Sequence, residues 1–184
     1  MEKIKAHLDP KTGLIPHEYL AYDPGQASGS SQSLMINFLP LIDTSFAKTQ
    51  FALYKKHFLD YRFGLAGIRE YPKGTTGRGD IDSGPVLLSI GGAASVVGVK
   101  AMLMNGDCDQ HIAIRNSIEG FGVPIRWGNK KKYLGGQLAV ADAFIAWAIA
   151  PSCQCSGSEL SVPWQFHLYS LLLIFSLSWL AYKI

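Results

Sequence analysis

The chain has 184 residues, of which 48% are hydrophobic and 17% are charged, and its formal net charge is +3. This length predicts one domain with a sizeable core, and the composition is more apolar than that of a typical soluble domain. The small, scattered charge excludes a typical nucleic-acid-binding protein, and the one basic run, Lys130–Lys132, is interpreted as a solvated loop.

The three cysteines, Cys108, Cys153 and Cys155, predict neither a disulfide framework nor a metal site. Their number is odd, and the CxC pair has no second pair or nearby histidine to complete four zinc ligands. Reduced thiols are therefore expected, with an extracytoplasmic setting left open, and no metal or cofactor is predicted. The N-terminal residues lack the apolar stretch of a signal peptide.

Proline and glycine divide the chain into helical segments, and no alternating strand is convincing. The first segment is a short apolar helix over residues 31–39, which Pro40 ends. Asp43 then caps a longer helix over residues 44–61, whose apolar side chains recur on one helical face.

The next predicted helix is slim and apolar, and it runs from Pro85 to about Met104. Ser83 or Gly84 is the expected N-cap, and Gly106 is the expected C-terminal stop. Each glycine inside this helix costs about 0.5–1 kcal/mol relative to alanine. Several such glycines therefore indicate close packing against neighbouring elements.

Two further helices follow in the same region of the chain. Asp107 or Asp109 opens an amphipathic helix that runs to about Phe121. The alanine-rich segment 137–150 is again slim and apolar, and Pro151 ends it.

The slim helices begin near residues 31, 85 and 137, a nearly constant interval that predicts stacked helical hairpins. Each of them follows a glycine-rich loop, and amphipathic helices lie between them along the chain. The predicted fold class is therefore all-α, with slim helices in an inner layer and amphipathic helices outside them.

The stretch from Gly13 to about Ala150 resembles a segment of a six-hairpin (α/α)6 toroid. Many glycosidases share this fold with linalool dehydratase-isomerase. The resemblance rests on the hairpin spacing and on the segments GLIPHEYLAYDPG, GSSQS, REYPKG and GDIDSGP. It implies that the chain holds about three of six hairpins: the C-terminal half of a longer ancestor, a truncated reading frame, or half of an assembly. No catalytic motif of the family maps onto the chain.

In such a toroid, the loops that precede the inner helices open at one end, which we call the mouth. Carboxylates and aromatic rings collect in these loops, and this combination suits a sugar or another neutral polyol. The predicted catalytic carboxylates are Asp80, Asp82 and Glu70, because paired carboxyl groups can divide into acid and base. The predicted substrate-binding residues are His17, Glu18, Tyr19, Tyr22, Asp23, Arg69, Tyr71, Arg78, Trp127 and Tyr133.

The same residues also have purely structural interpretations. Asp82 would cap the helix that follows it, and Asp80 would pair with Arg78 or Arg69. Histidine and aromatic residues in such loops are often packing residues, so both interpretations stay open.

The C-terminal segment from Trp164 to Tyr182 has no charged side chain and approaches the length of about 20 residues needed to cross a bilayer. Trp164, Trp179 and Tyr182 lie near its ends, where interfacial aromatic residues belong. The segment is interpreted as a single-pass membrane anchor whose side is unknown, and the alternative is a buried or outer helix of the fold. The expected organisation is a helical domain over 1–150, a linker over 151–163 and the anchor over 164–183.

The leading functional hypothesis is a carbohydrate-active enzyme of hydrolase or lyase type that uses carboxylates at the mouth. The alternatives are a non-catalytic, membrane-anchored binding or scaffold protein and a dehydratase or isomerase on the same fold. The expected partners are a small neutral polyol or sugar and a membrane, contacted through residues 164–182. An oligomer or a missing N-terminal half is also considered, and no nucleic acid is expected.

Overall fold

The structure is a computed structural model that describes residues 2–20, 23–78, 83–122, 124–133, 136–150, 155 and 164–183. Within these ranges the chain is mostly helical, with seven α-helices and four two-stranded antiparallel sheets. The helices are α1 (Glu2–Lys5), α2 (Gly29–Phe38, extended by a 3₁₀ turn at Leu39–Leu41), α3 (Thr44–Phe58), α4 (Gly92–Met104), α5 (Cys108–Phe121), α6 (Ala139–Ile149) and α7 (Trp164–Lys183). The hairpins are β1–β2 (Tyr19–Leu20, Asp23–Pro24), β3–β4 (Leu59–Arg62, Leu65–Ile68), β5–β6 (Val86–Leu87, Ile90–Gly91) and β7–β8 (Ile125–Trp127, Lys130–Lys132).

The hairpins correct the expectation of an all-α chain and shorten two predicted helices. Helix α3 ends at Phe58 rather than near residue 61, because the residues that follow pair with β4. Helix α4 begins at Gly92 rather than at Pro85, because the intervening residues form β5–β6. The predicted caps at Ser83 or Gly84 are therefore wrong, and Gly91 is the N-cap. The slim helices begin at Gly29, Gly92 and Ala139, so the predicted constant interval is also wrong.

Helix α4 is central and contacts α2, α5, α6 and β4. Ser33 of α2 donates a hydrogen bond to the backbone oxygen of Ala94 near the start of α4 (2.8 Å). Asn105, which follows α4, donates to Ile36 near the end of α2 (3.3 Å). The two helices therefore run parallel. Helix α3 packs against α2, and α5 packs against α4. The two later slim helices, α4 and α6, also contact each other.

Glycine allows this close packing, as the sequence indicated. A β-carbon at Gly98 would lie 2.6 Å from the Ile68 side chain and 3.0 Å from the hydroxyl of Tyr54. A larger side chain would therefore separate α4 from β4 and α3. The largest fully buried side chains around this contact are Leu14, Ile36, Tyr54, Phe58, Ile68, Val99, Met102 and Ile114.

The predicted caps between α4 and α5 are confirmed. Gly106 has a φ of 76°, and its backbone N–H donates to Leu103 (3.0 Å), while the N–H of Asp107 donates to Met102 (2.9 Å). This pattern is a Schellman motif. The Asp107 side chain then caps α5 by accepting from the N–H of Gln110 (3.2 Å).

A disulfide bond joins Cys108 to Cys155 with a Cα–Cα distance of 5.5 Å, so the expectation of reduced thiols is wrong for this pair. The bond links the start of α5 to the segment that precedes α7. Sequence spacing could not reveal it, because 47 residues and two helices separate the two cysteines. Cys153 lies outside the described residues.

Helix α7 has no buried residue, which argues against the alternative of a core helix. By length and composition it is long and apolar enough to cross a membrane. Its first turns touch the domain through two ring contacts, Phe121 to Phe166 (centroids 5.8 Å apart) and Phe63 to Tyr169 (5.0 Å).

Candidate acid–base site

Glu70 is buried at a point where three segments meet. It follows β4, and its backbone N–H donates to the oxygen of Ser89 in the β5–β6 hairpin (3.1 Å). Its backbone oxygen accepts from the N–H of Gly29, the first residue of α2 (2.8 Å). A β-carbon at Gly29 would lie 1.8 Å from the oxygen of Arg69, so only glycine allows this approach. The backbone of Glu70 is therefore fixed by both neighbouring elements.

The carboxylate of Glu70 accepts hydrogen bonds from hydroxyl groups at the start of α2. Ser28 Oγ and Ser30 Oγ each lie 2.9 Å from Glu70 Oε1. Oε2 faces the start of α4, since a β-carbon at Gly91 would lie 2.7 Å from it. Helix N-termini carry partial positive charge, so the two helix starts favour a negative charge on this carboxyl group.

A chain of hydroxyl groups connects Glu70 to the exposed imidazole of His17. His17 Nδ1 hydrogen-bonds Ser31 Oγ, and Ser31 Oγ lies 3.4 Å from Ser28 Oγ, which in turn reaches Glu70. Serine hydroxyls both donate and accept, so this chain can pass a proton between imidazole and carboxylate. The order differs from a serine-hydrolase triad, in which histidine lies between the serine and the acid.

Arg69, a predicted ligand-binding residue, holds the loop that follows it. Its guanidinium is buried and donates to the backbone oxygens of Tyr71 (3.0 Å) and Thr75 (2.8 Å) and to Asp60 Oδ2 (3.1 Å). Burial pushes the pKa of Asp60 upward, but hydrogen bonds from the Tyr61 N–H and from Arg69 outweigh it, so the pKa is lowered overall. These contacts fix the backbone of the loop from Arg69 to Thr75, in addition to any role of Arg69 in binding.

The other predicted residues of the first two loops differ in exposure. His17, Glu18 and Tyr19 are exposed, and the Tyr19 ring packs edge-on against His7 with centroids 4.8 Å apart. Tyr71 is half-buried, and Arg78 is exposed. Their roles in binding stay predictions.

In the third loop, Trp127 is 86% exposed whereas Tyr133 is buried. The hydroxyl of Tyr133 donates to Glu119 Oε1 (2.6 Å), and Lys131 Nζ lies 2.5 and 2.6 Å from the two oxygens of Glu119. Burial pushes the pKa of Glu119 upward, but hydrogen bonds from Lys131 and Tyr133 outweigh it and lower the pKa overall. The basic run is therefore strand β8 with one paired lysine, and its interpretation as a solvated loop is wrong for Lys131.

Several predicted site residues cannot be placed. Tyr22, Asp80 and Asp82 lie outside the described residues, and only the backbone of Asp23 is described, as part of β2. Their positions relative to Glu70 stay predictions.

The serines that bind Glu70 were not among the predicted site residues. The first slim helix was predicted to begin at Ser31, with Ser28 and Ser30 in the glycine-rich loop before it, whereas Ser28 is the N-cap of α2. Three hydroxyls in one helical turn, in the segment SGSS, were the available signal, because an N-cap needs only one of them.

Among the described residues, no cluster of histidine, cysteine and acidic side chains could hold a metal ion. A shallow surface depression of about 360 Å³ lies at the other end of α4. It is lined by Phe51, Lys55, Asn105, Gly106, Asp107, Cys108 and Asp109.

Comparison with known proteins gives no family for this chain. No protein-family model matches it, and no curated protein sequence matches it.

Proposed function

We propose that the chain is a membrane-anchored, carbohydrate-active protein of α/α-toroid type, with hydrolase or lyase chemistry at Glu70. The observation that carries the proposal is the hydrogen-bonded path from the exposed His17 to the buried Glu70. Most glycosidases cleave a glycosidic bond with one carboxyl group as proton donor or acceptor and a second as base or nucleophile. In this proposal Glu70 is one of the pair, and Asp80 or Asp82 is the other.

In this mechanism His17 exchanges protons with solvent and Glu70 delivers or receives them at the sugar. The serine hydroxyls hold the Glu70 carboxylate in one orientation, and the two helix starts stabilise its charged form. A base or acid positioned in this way contributes about 10²–10⁴-fold to a rate.

The test uses the full chain in nanodiscs with a panel of neutral oligosaccharides and polyols. Saturation-transfer NMR measures binding, and mass spectrometry of the released products measures turnover. Glu70→Gln should bind and not turn over, whereas Glu119→Gln, a matched change at a second buried glutamate, should retain turnover. Equal turnover in both variants, or none in the wild type with any sugar, would contradict the proposal.

The membrane anchor is the second part of the proposal, and the unburied, apolar α7 supports it. The full chain should require detergent, and a chain that ends after Gly157 should be more soluble. A full chain that is monodisperse without detergent, together with an aggregating truncation, would contradict the anchor.

The Cys108–Cys155 bond favours an oxidising compartment for the domain. Peptide mapping without reductant on protein taken from its native membrane tests this, and thiols alkylated at both positions would contradict it. An apolar cavity lined by cysteine would favour the dehydratase or isomerase alternative. That alternative is less favoured, because Cys108 and Cys155 are bonded to each other at the far end of α4 from Glu70. The non-catalytic scaffold alternative stands if no ligand binds.

A further inference from the structure

Two hairpin tips have a backbone conformation that their sequences do not favour. Phe63 and Gly64, between β3 and β4, have φ values of 54° and 82°, and Leu88 and Ser89, between β5 and β6, have 51° and 70°. Positive φ at both loop positions is the signature of a type I′ turn, which Asn-Gly normally occupies. A bulky residue with positive φ is an outlier, and such outliers cluster at functional sites.

The two tips lie side by side and present apolar side chains to solvent. Arg62 Nε donates to the backbone oxygen of Leu88 (3.1 Å) and so holds one tip against the other. Phe63, Leu87 and Leu88 are 45%, 63% and 51% exposed. These three exposed apolar side chains on two neighbouring hairpins are called the tip patch.

The tip patch is continuous with α7, because the ring of Phe63 touches that of Tyr169. Helix α7 has 20 residues and is therefore about 30 Å long, which matches the hydrocarbon core with no length to spare. Tyr169 lies five residues after Trp164, or about 8 Å along the axis at about 1.5 Å per residue. With Trp164 at the membrane surface, the side chain that touches Tyr169 must lie below that surface.

We propose that the tip patch inserts into the headgroup–acyl boundary of the bilayer that α7 crosses, so that the domain lies on the membrane. The occupant is lipid rather than a protein partner, because Phe63 of the patch contacts the apolar helix that crosses the membrane. Phe121, the second residue that touches α7, supports this placement. It leads into the β7–β8 hairpin, which exposes Trp127 and the cations Arg126, Lys130 and Lys132, as an interfacial segment does.

This inference rests on the membrane anchor of the proposed function, and the test separates the two. An environment-sensitive fluorescent amino acid is introduced into the full chain at Leu88, at Leu173 in the middle of α7, or at Leu41 as a control. Leu41 is an equally apolar, 74% exposed residue beyond the C-terminal end of α2. Each protein is placed in phosphatidylcholine nanodiscs that contain lipids with a quencher at shallow or deep positions of the acyl chain.

We expect the Leu173 label to be quenched mainly by the deep quencher, the Leu88 label mainly by the shallow one, and the Leu41 label by neither. A label at Leu87 gives a second reading if substitution at the strained Leu88 position disturbs the turn. If the Leu173 label is quenched but the labels at Leu87 and Leu88 are quenched no more strongly than the label at Leu41, the insertion is overturned and the anchor stands. No quenching at Leu173 would overturn both.

Discussion

In the part of the chain that the structure describes, two glutamates are buried, Glu70 and Glu119, and their surroundings differ in kind. Glu119, in the last turn of α5, is bound by the ammonium of Lys131 and the hydroxyl of Tyr133, which follow α5 closely in the chain. The Oε1 atom of Glu70 is bound by serine hydroxyls that connect onward to an exposed histidine. A fixed ion pair stabilises a fold, whereas a path of hydroxyls can also move a proton. The difference in partners therefore indicates that Glu119 is a structural acid and that Glu70 is the candidate catalytic one, without any knowledge of the substrate.

The largest expected effect is on turnover in Glu70→Gln. Gln keeps an acceptor oxygen for Ser28 and Ser30 but cannot exchange a proton, so kcat should fall by about 10²-fold or more. The free energy of unfolding should fall by only about 0.3–1 kcal/mol, because the hydroxyl contacts persist and only the interaction of the charge with the helix starts is lost. Product formation and thermal unfolding are measured on the same preparation in detergent. A large loss of stability with an unchanged rate per folded molecule would make Glu70 a structural residue like Glu119.

The opposite pattern is expected for Glu119→Gln. Removing the charge weakens the bonds from Lys131 and Tyr133, and hydrogen bonds to charged groups each contribute about 1.5–3 kcal/mol. The free energy of unfolding should fall by about that amount while kcat per folded molecule stays constant. Denaturant titration in detergent checks the first statement, and a loss of turnover without a loss of stability would reverse the comparison.

Acid titration should separate the Glu119 variant from the wild type. The folded-state pKa of Glu119 is lowered, so its charged form stabilises the fold above the unfolded pKa of about 4.3. That contribution is lost as the pH falls through the folded pKa. The stability difference between wild type and Glu119→Gln should therefore be full at pH 7 and shrink below about pH 4.3. Asp9 and Asp60, whose pKa values are also lowered, are common to both proteins and cancel in the difference. A difference that stays constant down to pH 2 would contradict the ion-pair assignment.

The smallest expected effect is that of His17→Gln. Its side chain is exposed and lies at the outer end of the path, where water can replace it, so the rate should fall by about tenfold or less. Stability should stay within about 0.5 kcal/mol of the wild type, as for most surface substitutions. Steady-state kinetics check the rate, and a kcat equal to that of the wild type would remove His17 from the path.

Local signals predicted the N-caps of α3 and α5 and the C-terminal end of α4, because a cap depends on a few consecutive residues, whereas the N-cap predicted for α4 at Ser83 or Gly84 is wrong. Asp43 starts α3 and Gly106 ends α4 as their sequences indicate. The β3–β4 and β5–β6 hairpins were missed because their turns, Phe63-Gly64 and Leu88-Ser89, lack the usual residues. The Leu88-Ser89 turn is held from outside by Arg62 and by the backbone of Glu70.

Only the part of the candidate site that depends on local sequence was predicted. Glu70 could be recognised from the sequence as an acidic residue in a loop before a predicted inner helix. Its hydrogen bonds to Ser28 and Ser30 could not, because these serines lie about 40 positions away in the chain. The Cys108–Cys155 bond is likewise a tertiary contact that spacing alone does not encode.

The hydrogen bond from the Glu70 N–H to the Ser89 oxygen joins the candidate acid to the tip patch, because Ser89 is the next residue after Leu88. If that tip lies in lipid, a ligand reaches Glu70 by diffusing in two dimensions along the membrane. The quantity that sets occupancy is then the mole fraction of a glycan-bearing amphiphile among the lipids, rather than its concentration in bulk water. Turnover of such a ligand would fall on dilution with inert lipid at constant total amount, as in surface-dilution kinetics, whereas turnover of a free sugar would not change.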